Sequence, residues 1–180
     1  GCMASAFGGG VGALVMSRFP DATNDQIRQI LRNTASRKRW DPLLGWGILN
    51  AEKAVSLRDD QLCQRLRVRA ERCSLSTRGG KPALKVFVEN EGVFDVEKAV
   101  AVAFNGDPRV PGAPEGTMEK AILLVTTQIG HAIGSVRGLH DSAITIDLVK
   151  EPGPELWVQV NTADRHGSDE VHTVQIPIQP

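Results

Sequence analysis

The feature that most limits what this chain can fold into is its opening run, Gly1-Cys2-Met3-Ala4-Ser5-Ala6-Phe7-Gly8-Gly9-Gly10-Val11-Gly12-Ala13-Leu14-Val15-Met16, in which one serine is the only polar side chain. Ala4, Phe7, Val11, Leu14 and Val15 recur at helical spacing. A helix that is apolar on every side is one meant to be enclosed. Gly8, Gly9, Gly10 and Gly12 each cost such a helix about 1 kcal/mol relative to alanine, so it must gain close backbone contact with neighbours. Those neighbours are expected outside this chain.

The next residues read as shorter helices. Phe19-Pro20-Asp21 closes the first one, because proline cannot continue the hydrogen-bond ladder. Thr23-Asn24-Asp25-Gln26 reads as a capping box, with the threonine hydroxyl accepting from the N3 amide while Gln26 reaches back. Ile27, Ile30, Leu31 and Thr34 then share one face. Asp25 sits near the positive end, and Arg37, Lys38 and Arg39 are expected near the negative one. Trp40-Asp41-Pro42 breaks this helix, and Gly45-Trp46-Gly47 supplies permissive backbone around an aromatic. Asn50 can cap a last short helix carrying Ala51, Ala54, Val55 and Leu57, after which Arg58-Asp59-Asp60-Gln61 reads as a linker.

Three stretches of this part carry a family resemblance. Gly1-Cys2-Met3-Ala4-Ser5 resembles the Thr-Ser-Met-Ala-Ser of subtilisin-like serine proteases (subtilases, peptidase S8), which opens a buried central helix with the nucleophilic serine at its N-terminus. Phe19-Pro20-Asp21-Ala22-Thr23 and Gly45-Trp46-Gly47-Ile48-Leu49-Asn50-Ala51 follow in the family's order. Gly1, Ala6, Phe7 and Gly8 depart from its Thr, Pro, His and Val. The resemblance covers residues 1 to 57. It implies that residues 1–60 are the C-terminal helices of a subtilisin-like catalytic domain, and that the remainder of that domain packs on residues 1–57. It also places Cys2 at the catalytic nucleophile's position.

A thiol at a helix N-terminus gains from the dipole and is a chemically sensible acyl-transfer nucleophile. The competing reading of Cys2 is an inert substitution, from decay of a site or its deliberate removal. In the family the histidine base, the aspartate and the side-chain oxyanion donor lie upstream of the nucleophile, so the resemblance implies that this chain alone is inactive. The Cys2 backbone N–H could supply half of an oxyanion hole. His131, His140, His166 and His172 all fall in the later half and match no motif of the family; they read as surface or strand histidines.

From Leu66 onward the period changes to two. Leu66, Val68 and Ala70 alternate with Arg65, Arg67 and Arg69, while Leu84, Val86 and Val88 alternate with Lys85, Phe87 and Glu89. Further strands are expected at residues 99–104, 121–127, 133–136, 143–148, 156–161 and 171–178. Gly79-Gly80, Asn90-Glu91-Gly92, Asn105-Gly106-Asp107-Pro108, Pro152-Gly153-Pro154 and Arg165-His166-Gly167 punctuate them. This rhythm predicts an antiparallel Ig-like β-sandwich over residues 64–180, expected to fold by itself. It resembles the CARDB-type accessory modules of secreted bacterial enzymes, carried on Val86-Phe87-Val88-Glu89-Asn90-Glu91-Gly92, Ile144-Thr145-Ile146-Asp147-Leu148 and Leu156-Trp157-Val158-Gln159-Val160. The fold class expected is therefore α+β: a helical remnant of an α/β domain plus a β-sandwich.

Composition removes several functions. Twenty-one basic residues balance twenty-one acidic ones, which takes away the electrostatic case for nucleic acid or an anionic membrane as partner. Cys2, Cys63 and Cys73 show no framework or metal-ligand spacing, so neither cofactor nor metal is expected. If residues 63–73 were one strand, its ends would lie roughly 30 Å apart, far beyond disulfide reach. Arg65, Arg67 and Arg69 could form a basic binding face, but read better as protection of an edge strand. Asp164, Asp169 and Glu170 lack calcium-loop spacing, and Trp46 and Trp157 read as packing residues. No signal-peptide pattern precedes the first helix, which reads as a start within a domain; a secreted or cell-surface location is implied only by the resemblance.

The function expected is that of the C-terminal portion of a subtilisin-like endopeptidase acting on polypeptide substrates. A non-catalytic binding or adhesion module and a pseudoprotease stand as alternatives.

Overall fold

The computed structural model describes residues 2–108, 122–123, 131–162 and 171–178. Three helices come first: α1 (Cys2–Arg18), α2 (Asn24–Thr34) and α3 (Ala51–Val55). Nine strands follow: β1 (Leu66–Val68), β2 (Ser74–Arg78), β3 (Lys81–Asn90), β4 (Val96–Asn105), β5 (Ile122–Leu123), β6 (His131–Val136), β7 (Asp141–Asp147), β8 (Leu156–Thr162) and β9 (His172–Ile176). The architecture is α+β with all strand pairs antiparallel.

The helix ends form as their sequences dictate. Thr23 Oγ1 accepts from the Gln26 amide at 3.3 Å while Gln26 Oε1 accepts from the Thr23 amide at 2.8 Å, completing the capping box. Asn50 Oδ1 accepts from the Lys53 amide at 2.8 Å and caps α3. Ile27, Ile30 and Thr34 are buried on one face of α2.

α2 is shorter than its charge pattern predicts. It ends at Thr34, and Ala35 is already extended. The Ser36 amide instead donates to the Ile48 carbonyl at 3.0 Å and the Arg37 amide to the Trp46 carbonyl at 3.1 Å, so residues 36–37 pair with the segment 46–48. Arg37, Lys38 and Arg39 thus lie beyond the helix, and Arg37 pairs with Asp41 at 3.1 Å. Gly47 holds a φ of 86° in this pairing, where a Cβ would come 2.4 Å from Ser36 Oγ. Only glycine fits there.

β3 is the centre of the first sheet. β7 pairs along one side of it, while β1 and β2 share the other side, end to end. The expected continuous strand through residues 66–70 is broken after Val68 by a single 3-10 turn at Ala70–Arg72. β2, which the alternation did not reveal, follows; its residues are all exposed and Leu75 is its only apolar side chain. It is one arm of a hairpin in which Gly79 and Gly80, at φ of 57° and 75°, connect the paired Arg78 and Lys81. In the second sheet β4 is central, with β8 then β9 on one side and β5 and β6 on the other.

The inner faces meet in one apolar layer. Leu66, Leu84, Val86 and Val88 from the first sheet pack with Ala99, Ala101, Leu156, Val158 and Val160 from the second. Full burial of each large aliphatic contributes about 1.5–3 kcal/mol. The rest of the strand expected over 121–127, the histidine at 166 and the acidic residues at 164, 169 and 170 lie outside the described residues.

Candidate functional site

Cys2 is the first residue of α1 and is exposed. Along α1 only Val15 is buried, against Ile30 and Ala54 of the other helices and Phe19 at the helix exit. Met3 is 75% exposed and Phe7 71%, with Leu14 and Met16 more than half exposed. Methyl groups built on Gly8 and Gly12 would only reach ordinary contact with Leu49 and Leu31, at 3.8 and 4.0 Å, and ones built on Gly9 and Gly10 would meet nothing within 4 Å. The apolar helix therefore forms, and most of its surface has no cover within the described residues.

Among the described residues no histidine is hydrogen-bonded to the Cys2 thiol. His140 Nδ1 lies 2.7 Å from the Gly138 carbonyl, and His172 Nδ1 accepts from the Val68 amide at 3.0 Å. Both belong to the β half. Burial holds the His140 imidazole below its ordinary pKa, with Arg137 and Lys38 adding to the effect. Among the described residues, no three histidine, cysteine or acidic side chains gather to hold a metal ion, and no helix is long and apolar enough to cross a membrane.

The other two cysteines form no disulfide and are engaged locally. Cys63 Sγ donates to the Asp60 carbonyl at 3.2 Å and Cys73 Sγ to the Arg69 carbonyl at 3.3 Å. Burial pushes the Cys73 thiol up. The arginine stripe is neutralised by acids: Arg69 meets Glu89 and Glu91, Arg67 meets Glu91, and Arg65 meets Asp60. It presents no uncompensated basic face.

The most elaborate constellation lies where the helices meet the sandwich. The stretch read as a linker is a single 3-10 turn at Asp59–Gln61 that is fastened on both sides. Arg18 pairs with Asp59 at 2.9 Å, the Gln61 carbonyl accepts from the Val93 amide at 2.8 Å, and the Cys63 carbonyl accepts from the Phe94 amide at 3.1 Å. Val93, on the loop between β3 and β4, is fully buried in the helical cluster with Val15, Ile27 and Ile30. Asp95, two residues on, accepts from the Arg32 guanidinium, from Asn33 Nδ2 at 2.7 Å and from the Gly138 amide at 3.0 Å. Arg137 reaches back with all three guanidinium nitrogens: Nε to Asn33 Oδ1 at 2.6 Å, Nη1 to the Arg37 and Lys38 carbonyls at 2.8 and 3.1 Å, and Nη2 to the Arg32 carbonyl. Its planar face lies 4.1 Å from the Trp46 ring centroid, and Arg32 lies 5.6 Å from the same ring.

Asn33, Asp95 and Arg137 were not among the residues singled out by sequence. The available signal was Val93-Phe94, an apolar pair in a glycine-flanked turn where a hairpin would otherwise be polar. Trp46 does serve packing, but against charged partners.

Residues 2–47 match the Subtilase family. No curated protein matches the chain in sequence. Among solved structures the chain is similar to DesR, a β-glucosidase from Streptomyces venezuelae, at 15% identity over 63% of this chain and 15% of that one, with a TM-score of 0.35. It is similar to a CARDB domain from Pyrococcus furiosus at 11% identity over 64% of this chain and 89% of that one, TM-score 0.35. The archaellum periplasmic stator protein FlaG from Sulfolobus acidocaldarius matches at 11% identity over 63% of this chain and 99% of that one, again at 0.35. The chain thus spans about one seventh of the β-glucosidase's length.

Proposed function

We propose that residues 1–57 are the C-terminal part of a subtilisin-like endopeptidase domain, with Cys2 at the position of the acyl-transfer nucleophile and residues 64–180 as its accessory β-sandwich. The observation that carries this reading is α1 itself. Within a segment that matches the Subtilase family it presents Met3, Phe7, Leu14 and Met16 to solvent. An apolar helix of that extent requires a cover, and the remainder of a subtilase domain is the cover proposed. Polypeptide substrates would be bound by that remainder, in a secreted or cell-surface protein.

Attack by a thiolate or alkoxide needs an orienting base and donors aimed at the developing oxyanion. This chain offers a nucleophile position and one backbone N–H. The 180-residue chain should therefore not cleave casein. In a polypeptide that also carries the upstream aspartate and histidine motifs, Cys2→Ser should create a residue that reacts with a fluorophosphonate probe, and Cys2→Ala should not. A folded Cys2→Ser protein that stays unlabelled would remove Cys2 from the nucleophile position. Cysteine in place of serine favours one second reading, a pseudoprotease, in which Cys2 itself transfers no acyl group even when the domain is complete.

A further inference from the structure

We infer that the β-sandwich is a clamp on the subtilase-like helices rather than a module tethered to them: through Arg137, Asp95 and Val93 it sets the end of α2 and the Trp46 loop, so that helices and sandwich unfold as one cooperative unit. This does not depend on whether Cys2 is a nucleophile.

The clamp closes on the C-terminus of α2. The last turn of a helix leaves carbonyls without intrahelical donors and carries partial negative charge. Such ends are commonly closed by a left-handed glycine. Here Ala35 is extended, and the Arg32 carbonyl receives only a 3.4 Å contact from the Ala35 amide within its own segment. The strong donor is Arg137, from the turn between β6 and β7, which also takes the carbonyls of Arg37 and Lys38 just past the helix. One planar, permanently charged group thus closes the helix end and the loop behind it.

The dependence runs both ways. Asn33 is fully buried, and both ends of its amide are satisfied from the sandwich: Oδ1 by Arg137, Nδ2 by Asp95 and the Val93 carbonyl. Without those partners the buried amide keeps only a 3.4 Å contact from Arg32 Nε. Conversely, Val93 is apolar surface of the sandwich buried within the helical cluster, and the Asp95 amide is satisfied by Gln29 Oε1 at 2.8 Å. The two sandwich loops that do this are locked together, since the Leu139 amide donates to the Gly92 carbonyl at 2.9 Å. A chain cut at Gln64 would leave Val93 uncovered, with Asp95 and Arg137 deprived of most of their partners.

Hydrogen–deuterium exchange on the 180-residue chain, read by peptide mass, tests this. In the unaltered chain, peptides from α2 and from β8 should share the same slowest exchange class and merge with rising urea. Arg137→Gln should speed exchange of α2 and residues 35–48 at least about tenfold, the loss expected when charge-assisted bonds to a buried partner go, and the β8 peptides that open in the same global unfolding should speed with them. Arg137→Lys keeps the charge but not the fork, and should not restore protection. If α2 exchanges well ahead of β8 in the unaltered chain, or if Arg137→Gln leaves α2 unchanged, the clamp is refuted. Should Arg137→Gln fail to fold, the comparison of α2 with β8 in the unaltered chain still decides.

Discussion

Gly138 lies against the backbone of Val93: a Cβ at position 138 would fall 1.9 Å from the Val93 carbonyl oxygen and 2.8 Å from Asn33 Nδ2. The contact joins the β6–β7 turn to the β3–β4 loop at the point where both touch α2. Backbone cannot swing aside as a long side chain can, so Gly138→Ala must push the two loops apart and loosen Asn33. The expected cost is about 2–3 kcal/mol, in the range of overpacking. Urea unfolding of the variant measures it, and an unchanged midpoint would show that the two loops are not pressed together in solution.

Gly9 and Gly10 give the opposite expectation. A methyl at either position meets nothing within 4 Å among the described residues, so Gly9→Ala and Gly10→Ala should stabilise the chain by up to about 1 kcal/mol through helix propensity. If the remainder of a subtilase domain covers α1 by close backbone approach, the same substitutions should weaken the complete domain. Thermal unfolding of both forms checks the reversal. Stabilisation in both would argue against a tight cover on that face.

Asn90 is fully buried at the end of β3 and uses its whole side chain. Oδ1 accepts from the Arg65 and Gly92 amides, each at 3.1 Å, and Nδ2 donates to the Phe94 and Val136 carbonyls at 2.8 and 3.2 Å. It therefore holds the start of β1, the β3–β4 loop and the end of β6 together. Asn90→Ala should destabilise by about 3 kcal/mol or more, because several buried backbone groups lose their partners at once. Chemical denaturation checks this, and a loss below about 1 kcal/mol would mean water replaces the amide.

His140 makes stability pH-dependent. Burial depresses its folded-state pKa below the ordinary value near 6.5, so as pH falls the unfolded chain binds a proton before the folded one does. Its share of stability is full above about pH 6.5 and declines as pH falls toward the folded pKa. His140→Gln should flatten the unfolding midpoint between pH 7 and the onset of carboxylate titration. A slope unchanged by the substitution would assign the dependence to another group.

Thiol labelling separates the cysteines. Cys2 is exposed at a helix start, whereas burial raises the Cys73 thiol's pKa and shields it. Brief iodoacetamide treatment at pH 8 followed by peptide mapping should find Cys2 alkylated ahead of Cys73, with Cys73 catching up as pH rises. The reverse order would contradict the burial of Cys73.

Local chemistry was legible from the residues alone. The Thr23–Gln26 capping box, the Asn50 cap, the chain break at Gly79-Gly80 and the alternation of Leu84, Val86 and Val88 each depend on groups within a few positions of one another, so sequence spacing suffices to determine them. The likeness of residues 2–47 to the Subtilase family was legible for a related reason, since its motifs are short and in order. Where α2 stops was decided elsewhere: Arg37, Lys38 and Arg39 suit a helix end, but pairing of 36–37 with 46–48 supplies the backbone with competing hydrogen bonds. The arginine stripe reads as edge protection, and its pairing with Glu89 and Glu91 exists only once folding brings those acids beside it. Tertiary structure alone joined Asn33, Asp95 and Arg137, which stand 62 and 104 positions from Asn33 along the chain. Each is an ordinary polar residue by pattern, and it becomes a clamp only because folding removes water from around it and leaves the others as its partners.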